Sequence, residues 1–207
     1  HIPTYNIFSD IMSYMEKRMS YKFGIIGLGL IADFHARAIE AMEGAEVYSC
    51  MSRSSEKAKV FSAKYSCKAY TNLDEMLKDP DLDIVTVCTP SGNHLEPSLK
   101  IIEAGKHLIV EKPLEITLER CDSILDAASR KKVRVSTIFP SRFHEATKIV
   151  KDAIDKNRFG RFVLGDAYVK WFRTQEYYDN GGWHGTKSLD GGGTLMNQSI
   201  HAIDLLQ

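Results

Sequence analysis

Tyr21-Lys22-Phe23-Gly24-Ile25-Ile26-Gly27-Leu28-Gly29-Leu30-Ile31-Ala32 is the stretch that decides the fold. An apolar run reads as a buried strand, breaks at Gly27 and continues into a helical pattern. The spacing from Gly27 is G-x-G-x-x-A, a dinucleotide-binding turn whose third glycine is alanine. Gly27 permits the tight turn, and Gly29 lets the backbone approach a pyrophosphate. Ala32 lets the helix lie close to the sheet, and the helix N-terminus at Leu30 and Ile31 presents unpaired N–H groups to phosphate oxygens. Small residues also make ordinary tight turns, so the signal rests on its place between one strand and one helix.

Outward from this turn the same rhythm repeats. The second strand is read at 46–51, a helix at 55–65, a short strand at 67–70 and a helix opened by Asn72. Residues 83–88 form a nearly continuous β-branched run, as in strands covered on both faces. A helix follows over 94–104 and stops at Gly105, then a strand at 107–110, a helix at 118–129 with Thr117 as its N-cap, and a strand at 133–138. Six strands alternating with helices predict an α/β fold, a doubly wound parallel sheet with right-handed crossovers. Past Phe139 the pattern changes to a helix over 145–156, a long alternating strand over 162–172, an aromatic and glycine-rich loop, and a helix containing His201. That reads as the start of an α+β domain. The expected division is 1–18 as an extension or cloning remnant, 19–138 as the dinucleotide-binding domain and 139–207 as a partial second domain.

Composition narrows the classes. With 27 Lys plus Arg against 27 Asp plus Glu, no net field points to nucleic acid or an anionic membrane. No apolar run approaches a membrane span, and no signal peptide is visible. The four cysteines, Cys50, Cys67, Cys88 and Cys121, are far apart in sequence and read as reduced, which points to the cytoplasm. Residues 203–207 stop inside an apolar-periodic helix without a cap, so a longer protein is expected.

In a doubly wound sheet, ligands lie beyond the carboxyl ends of the strands. The rule selects Gly27, Gly29, Leu30 and Ile31, then Ser52 and Arg53, then Thr89, Pro90 and His94, and finally Glu111 and Lys112 as cofactor-side residues. The corner after the second strand, Ser52-Arg53-Ser54, lacks the carboxylate that holds ribose hydroxyls, and its arginine suits a 2′-phosphate. It leans to NADP over NAD, although Ser54 reads equally well as a cap. Lys112, fixed by Pro113, is placed to donate to a substrate oxygen, against the alternative of a surface lysine paired with a glutamate. In Asp190-Gly-Gly-Gly-Thr-Leu-Met-Asn197-Gln-Ser-Ile-His201, Asn197 and His201 are spaced i, i+4 for one helical face. His201 can accept a carbinol proton, or it is a packing residue. Trp171, Arg173, Tyr177, Tyr178 and Trp183 suit a sugar ring as well as they suit an interface. No metal-ligand spacing appears.

The motifs GLGLIA (27–32), TPSGNH (89–94), EAGKHLIVEKPL (103–114) and DGGGTLMNQSIHAIDLL (190–206) occur in this order, and the chain resembles the Gfo/Idh/MocA family over about 19–207. The resemblance implies an NAD(P)-dependent oxidoreductase acting on a sugar, nucleotide-sugar or polyol. A Rossmann domain would precede a domain that forms a homo-oligomer in the full-length protein. It also implies that Lys112 and His201 are catalytic, with Asn197, Trp171, Arg173 and Trp183 on the substrate side. Many members carry an aspartate where Asn197 stands, and an amide cannot relay a proton. A non-catalytic dinucleotide-binding sensor on the same fold is therefore the competing reading. A methyltransferase using the glycine loop leaves the EKP and GGG segments without a role.

Overall fold

The fold is described from a computed structural model, over residues 20–207. The expected extension 1–18 lies outside the described residues. The strands are β1 (Tyr21–Ile26), β2 (Ala45–Met51), β3 (Lys68–Tyr70), β4 (Ile84–Val87), β5 (His107–Val110) and β6 (Val135–Thr137). Between them come α1 (Leu30–Glu40), α2 (Ser55–Tyr65), α3 (Leu73–Leu77), α4 (Leu95–Glu103) and α5 (Leu118–Lys131). The sheet order is β3-β2-β1-β4-β5-β6, and β1/β2, β2/β3 and β5/β6 pair in parallel. The order turns back between β1 and β4, the arrangement of a Rossmann sheet with its switch point there. The strands and helices expected from periodicity are present through β6, with ends shifted by a few residues.

Local chemistry explains the boundaries. Ser54 opens α2 by accepting the Lys57 N–H at 3.3 Å, and Asn72 opens α3 by accepting the N–H groups of Asp74 and Glu75 at 2.8 and 3.3 Å. Thr117 caps α5 through the Arg120 N–H at 3.4 Å. The core lies on both faces of the sheet: Ile25 and Ile26 on β1, Cys50 on β2, Val85 and Val87 on β4, and Leu108 and Val110 on β5 are buried. Burying each of the larger side chains is worth about 1.5–3 kcal/mol. Gly24 has a packing role that the motif reading missed. A Cβ there would stand 2.1 Å from the Cε of fully buried Met76, and the β1/β2 register slips between Phe23 and Gly24.

Packing divides the chain into two compact units, one running to Thr86 and the other covering Val87–Gln207. Beyond β6 the second unit is helical, with α6 (Glu145–Asp155), α7 (Gln175–Gly181), α8 (Lys187–Asp190), α9 (Thr194–Asn197) and α10 (Ile200–Leu206). Two expectations are corrected here. Residues 162–172 are not a strand, and most of their side chains are exposed. An alternating sequence becomes a strand only when a neighbour completes its ladder, and none of the described residues does so. Asn197 and His201 do not share one continuous helix. The Ser199 N–H turns back to the Thr194 carbonyl at 2.9 Å, a wide i→i−5 closure, and the Ser199 carbonyl then starts α10 by accepting from Ala202 at 2.9 Å. Helix α6 is amphipathic in sequence, yet none of its side chains is buried, and Ile149 and Val150 face outward.

Candidate active site

In the first unit the glycine turn has the geometry that its sequence requires. Gly27 takes φ +81°, and its carbonyl accepts the Gly29 N–H at 2.8 Å. Gly29 is the N-cap of α1, and no side chain caps it. A Cβ on Gly29 would meet nothing within 4 Å, so the space over the helix terminus is open. Leu30 is 83% exposed at that terminus, while Ala32 is fully buried against the sheet. Uncapped N–H groups beneath open space fit a pyrophosphate. Arg53 is exposed at the end of β2. Ser52 Oγ accepts the Ser54 N–H at 3.2 Å and Ser54 caps α2, so Ser54 is engaged in the helix start.

In the second unit, loops following β4 and β5 are clamped together by His94, which is 1% exposed. Its Nε2 lies 2.9 Å from the Thr89 carbonyl and its Nδ1 2.9 Å from the Pro113 carbonyl. The sequence assigned His94 to the cofactor side; its ring is buried between two loops that carry other candidates. Thr89 Oγ1 donates to the Asn93 carbonyl at 3.1 Å, and Pro90 precedes the short 3-10 turn Ser91–Asn93. A second brace was invisible in the sequence. Glu115 is buried and accepts from the Leu95 N–H at 3.0 Å and from Arg120 at 2.9 Å, while Arg120 also donates to the Gly92 carbonyl at 3.1 Å.

The same unit gathers the candidate reacting groups. Lys112, joined to Pro113 by a cis peptide, donates from Nζ to the backbone carbonyl of Asn197 at 2.8 Å. Its contact with Asn197 Oδ1 is longer, at 3.4 Å. Glu111 Oε2 accepts the Lys112 backbone N–H at 3.2 Å. Burial pulls the Lys112 ammonium below the usual lysine range, and the charges of Glu111 and Asp190 oppose that. His201 is lowered by burial and by the nearby Lys112 charge, against the opposing pull of Glu111 and Asp204. Its Nδ1 is buried and has no hydrogen-bond partner in the protein. Asp204, three residues past His201, pairs with Arg142. Lys112, Asn197 and His201 are thus brought together, and the i, i+4 helix face is not what does it.

The aromatic residues form a separate part of this unit. Arg173 donates to Gln198 Oε1 at 2.9 Å, and its guanidinium lies 5.9 Å from the Trp171 ring centroid and 5.4 Å from that of Tyr177. Gln198 Nε2 donates to the Tyr177 hydroxyl at 3.1 Å. His184, unassigned by sequence, stacks on Tyr177 at 4.4 Å and packs against Trp183 at 4.2 Å. A shallow groove of about 400 Å³ is lined by Thr174, Glu176, Tyr177, Asn180 and His184. Trp171 stays 59% exposed.

The family model described as an oxidoreductase family with an NAD-binding Rossmann fold matches residues 21–139. The chain belongs to the Gfo/Idh/MocA family. The model of the family's C-terminal domain matches residues 147–207. Among curated Gfo/Idh/MocA relatives, the 1,5-anhydro-D-fructose reductase of Ensifer adhaerens is 32% identical over 90% of this chain and 55% of its own length. Among solved structures, the WlbA dehydrogenase of Bordetella pertussis, in complex with NADH and UDP-GlcNAcA, superposes with TM-score 0.86 at 32% identity. It is matched over 90% of this chain and 54% of its own. WlbA from Chromobacterium violaceum, with the same two ligands, gives TM-score 0.86 at 35% identity, over 91% of this chain and 55% of its own. The chain therefore spans about half the length of the relatives it matches.

Proposed function

We propose that the whole protein moves a hydride between NAD(P) and a carbinol carbon of a sugar, nucleotide-sugar or related polyol. The observation that carries the reading is the Lys112–His201 pair. Both side chains are partly withdrawn from water, and burial first, with the Lys112 charge second, holds His201 below its usual range. A neutral imidazole can take the hydroxyl proton while an adjacent ammonium polarises the same oxygen. The nicotinamide ring supplies the hydride acceptor or donor when bound. Gly27, Gly29 and the first-turn N–H groups at Leu30 and Ile31 hold the pyrophosphate. Thr89, Pro90 and Glu111 are assigned to the cofactor as well, and His94 braces the loops that carry them. Asn197 orients Lys112 and holds a substrate hydroxyl, while Trp171, Arg173 and Trp183 face the sugar.

Residues 19–138 are the cofactor-binding domain in this reading, and 139–207 open the domain that binds substrate and forms a homo-oligomer. The NADH complexes of the WlbA relatives support a nicotinamide cofactor, and exposed Arg53 with no acid beside it supports NADP. UDP-GlcNAcA in those complexes supports a nucleotide-sugar among the substrates tested first. Four free thiols support a reducing, cytoplasmic setting. The test is a screen of the full-length protein for NAD(P)H absorbance change against sugars, polyols and nucleotide-sugars with both cofactors. Turnover that persists undiminished in His201→Ala sinks the assignment of the base. Asn197 in place of an acid favours a second reading, a dinucleotide sensor, which would bind cofactor yet turn over no substrate in that screen.

A further inference from the structure

The end of β6 is tied to the strand that leads to Lys112. The Ile138 N–H donates at 3.0 Å to the carbonyl of Val110, the last residue of β5, and Lys112 follows two residues later. The chain then turns through the 3-10 segment Pro140–Phe143, where the Arg142 N–H closes on the Phe139 carbonyl at 3.2 Å. Proline at the first position fixes one torsion of this short turn, so Phe139 and Arg142 are held in a set relation.

Helix α10 meets that turn at two points. Arg142 donates from Nε to Asp204 Oδ2 at 2.7 Å and from Nη2 to Asp204 Oδ1, a two-pronged grip on a carboxylate that is 6% exposed. One turn earlier, the His201 imidazole meets the Phe139 ring edge-on, with centroids 6.1 Å apart and planes at 78°. The Arg142 guanidinium carbon lies 5.1 Å from the centroid of the same ring. His201 and Asp204 are i, i+3 on α10 and share one side of it. The turned-back Ser199 amide interrupts the register before α10, so Asn197 and the lysine bound to it do not fix the roll of this helix. We propose that Arg142 is a positioning residue: by gripping Asp204 and backing Phe139, it sets the roll of α10 and with it the direction of the His201 imidazole. This rests on the assignment of His201 as the base. The charged groups acting on His201 are Lys112, Glu111 and Asp204, and Asp204 is the one whose charge Arg142 offsets. An ion pair with an exposed arginine adds little stability, so its removal should show in the reaction more than in melting.

The test uses the full-length protein, with kcat and KM measured across pH and the His201 imidazole titrated by NMR, its signal assigned by its loss in His201→Ala. Arg142→Met should lower kcat by about 10–100-fold, the cost of a misdirected base, while sugar KM stays put. It leaves the Asp204 carboxylate unbalanced, so the His201 midpoint and the acidic limb of kcat should move up. Asp204→Asn removes that carboxylate and should move both down, again with a lower kcat. Arg142→Lys restores the charge without the two-pronged grip; it should return the midpoint and regain only part of kcat. Parent kcat and an unmoved midpoint in Arg142→Met overturn the proposal, and so does a lowered melting temperature with neither readout changed. Turnover undiminished in His201→Ala is a different failure, that of the base itself, and it shows in a variant that leaves Arg142 and Asp204 intact.

Discussion

The Lys112 ammonium is held 2.8 Å from the backbone carbonyl of Asn197, closer than the 3.4 Å to that residue's side-chain oxygen. The stronger contact therefore does not depend on which side chain occupies position 197. Asn197→Ala should keep Lys112 in place and lower turnover by no more than about tenfold, the worth of one neutral hydrogen bond. Asn197→Asp adds a negative charge beside the ammonium and should move the basic limb of the kcat profile upward. A thousandfold loss in the alanine variant would show that the amide itself reacts.

The pH profile follows from the two shifts. For oxidation His201 must be neutral, so turnover rises as pH climbs through a midpoint below the ordinary histidine value. Lys112 must be charged, so turnover falls as pH passes a midpoint below the ordinary lysine value. The expected kcat curve is a bell with both limbs displaced to low pH. His201→Asn should erase the acidic limb and cost about 10²–10⁴ in rate; steady-state kinetics from pH 5 to about 10 checks both.

Cofactor choice turns on Arg53. Removing its charge with Arg53→Ala should weaken NADP by about 10–100-fold, the worth of a charge-assisted hydrogen bond, and leave NAD nearly unchanged. Isothermal titration with both dinucleotides decides the matter. Equal affinities in the parent protein would put the Ser52–Ser54 corner back to an ordinary helix start.

The buried Glu115–Arg120 brace has its own signature. Burial raises the Glu115 pKa, but Arg120 and the N–H groups of Ile116 and Leu95 outweigh that and leave it below the usual glutamate value. Its stabilisation is present above the unfolded-state pKa and lost as pH falls through the folded one. Since Arg120 is about one-third exposed, Glu115→Ala should cost about 2–3 kcal/mol rather than the full buried-pair figure. Melting curves between pH 3 and about 7 should show a steeper acid slope in the parent than in the variant.

Gly92 offers a steric test. Gly92→Ala places a methyl group 2.2 Å from a backbone oxygen that has no rotamer to yield. Destabilisation of about 1–3 kcal/mol is expected, read by urea unfolding. Gly24→Ala meets the tip of Met76 instead, whose side chain can swing, and should cost less.

What the sequence disclosed and what it hid have a physical division. Strand and helix periodicity, the caps at Ser54, Asn72 and Thr117, and the glycine turn are local, and each was legible in a short window. Glu115 with Arg120 and His94 between two carbonyls depend on what folds against them, and no spacing encodes that. The strand expected over 162–172 failed for the same reason, since alternation describes a face and not the partner that covers it. The i, i+4 reading of Asn197 and His201 erred in assuming unbroken helical register, which the turned-back Ser199 amide interrupts.

The uncovered face of helix α6, with Ile149 and Val150, and the stretch holding Phe162, Val163, Leu164 and Phe172 have a consequence during synthesis. Exposed apolar side chains of this kind are what chaperones bind and what drives chains to coalesce. As the nascent chain leaves the ribosome, its amino-terminal sheet can close early while this strip stays adhesive until a partner surface reaches it. The interval between those two events, more than the stability of the sheet, then sets how much chain is recovered in soluble form.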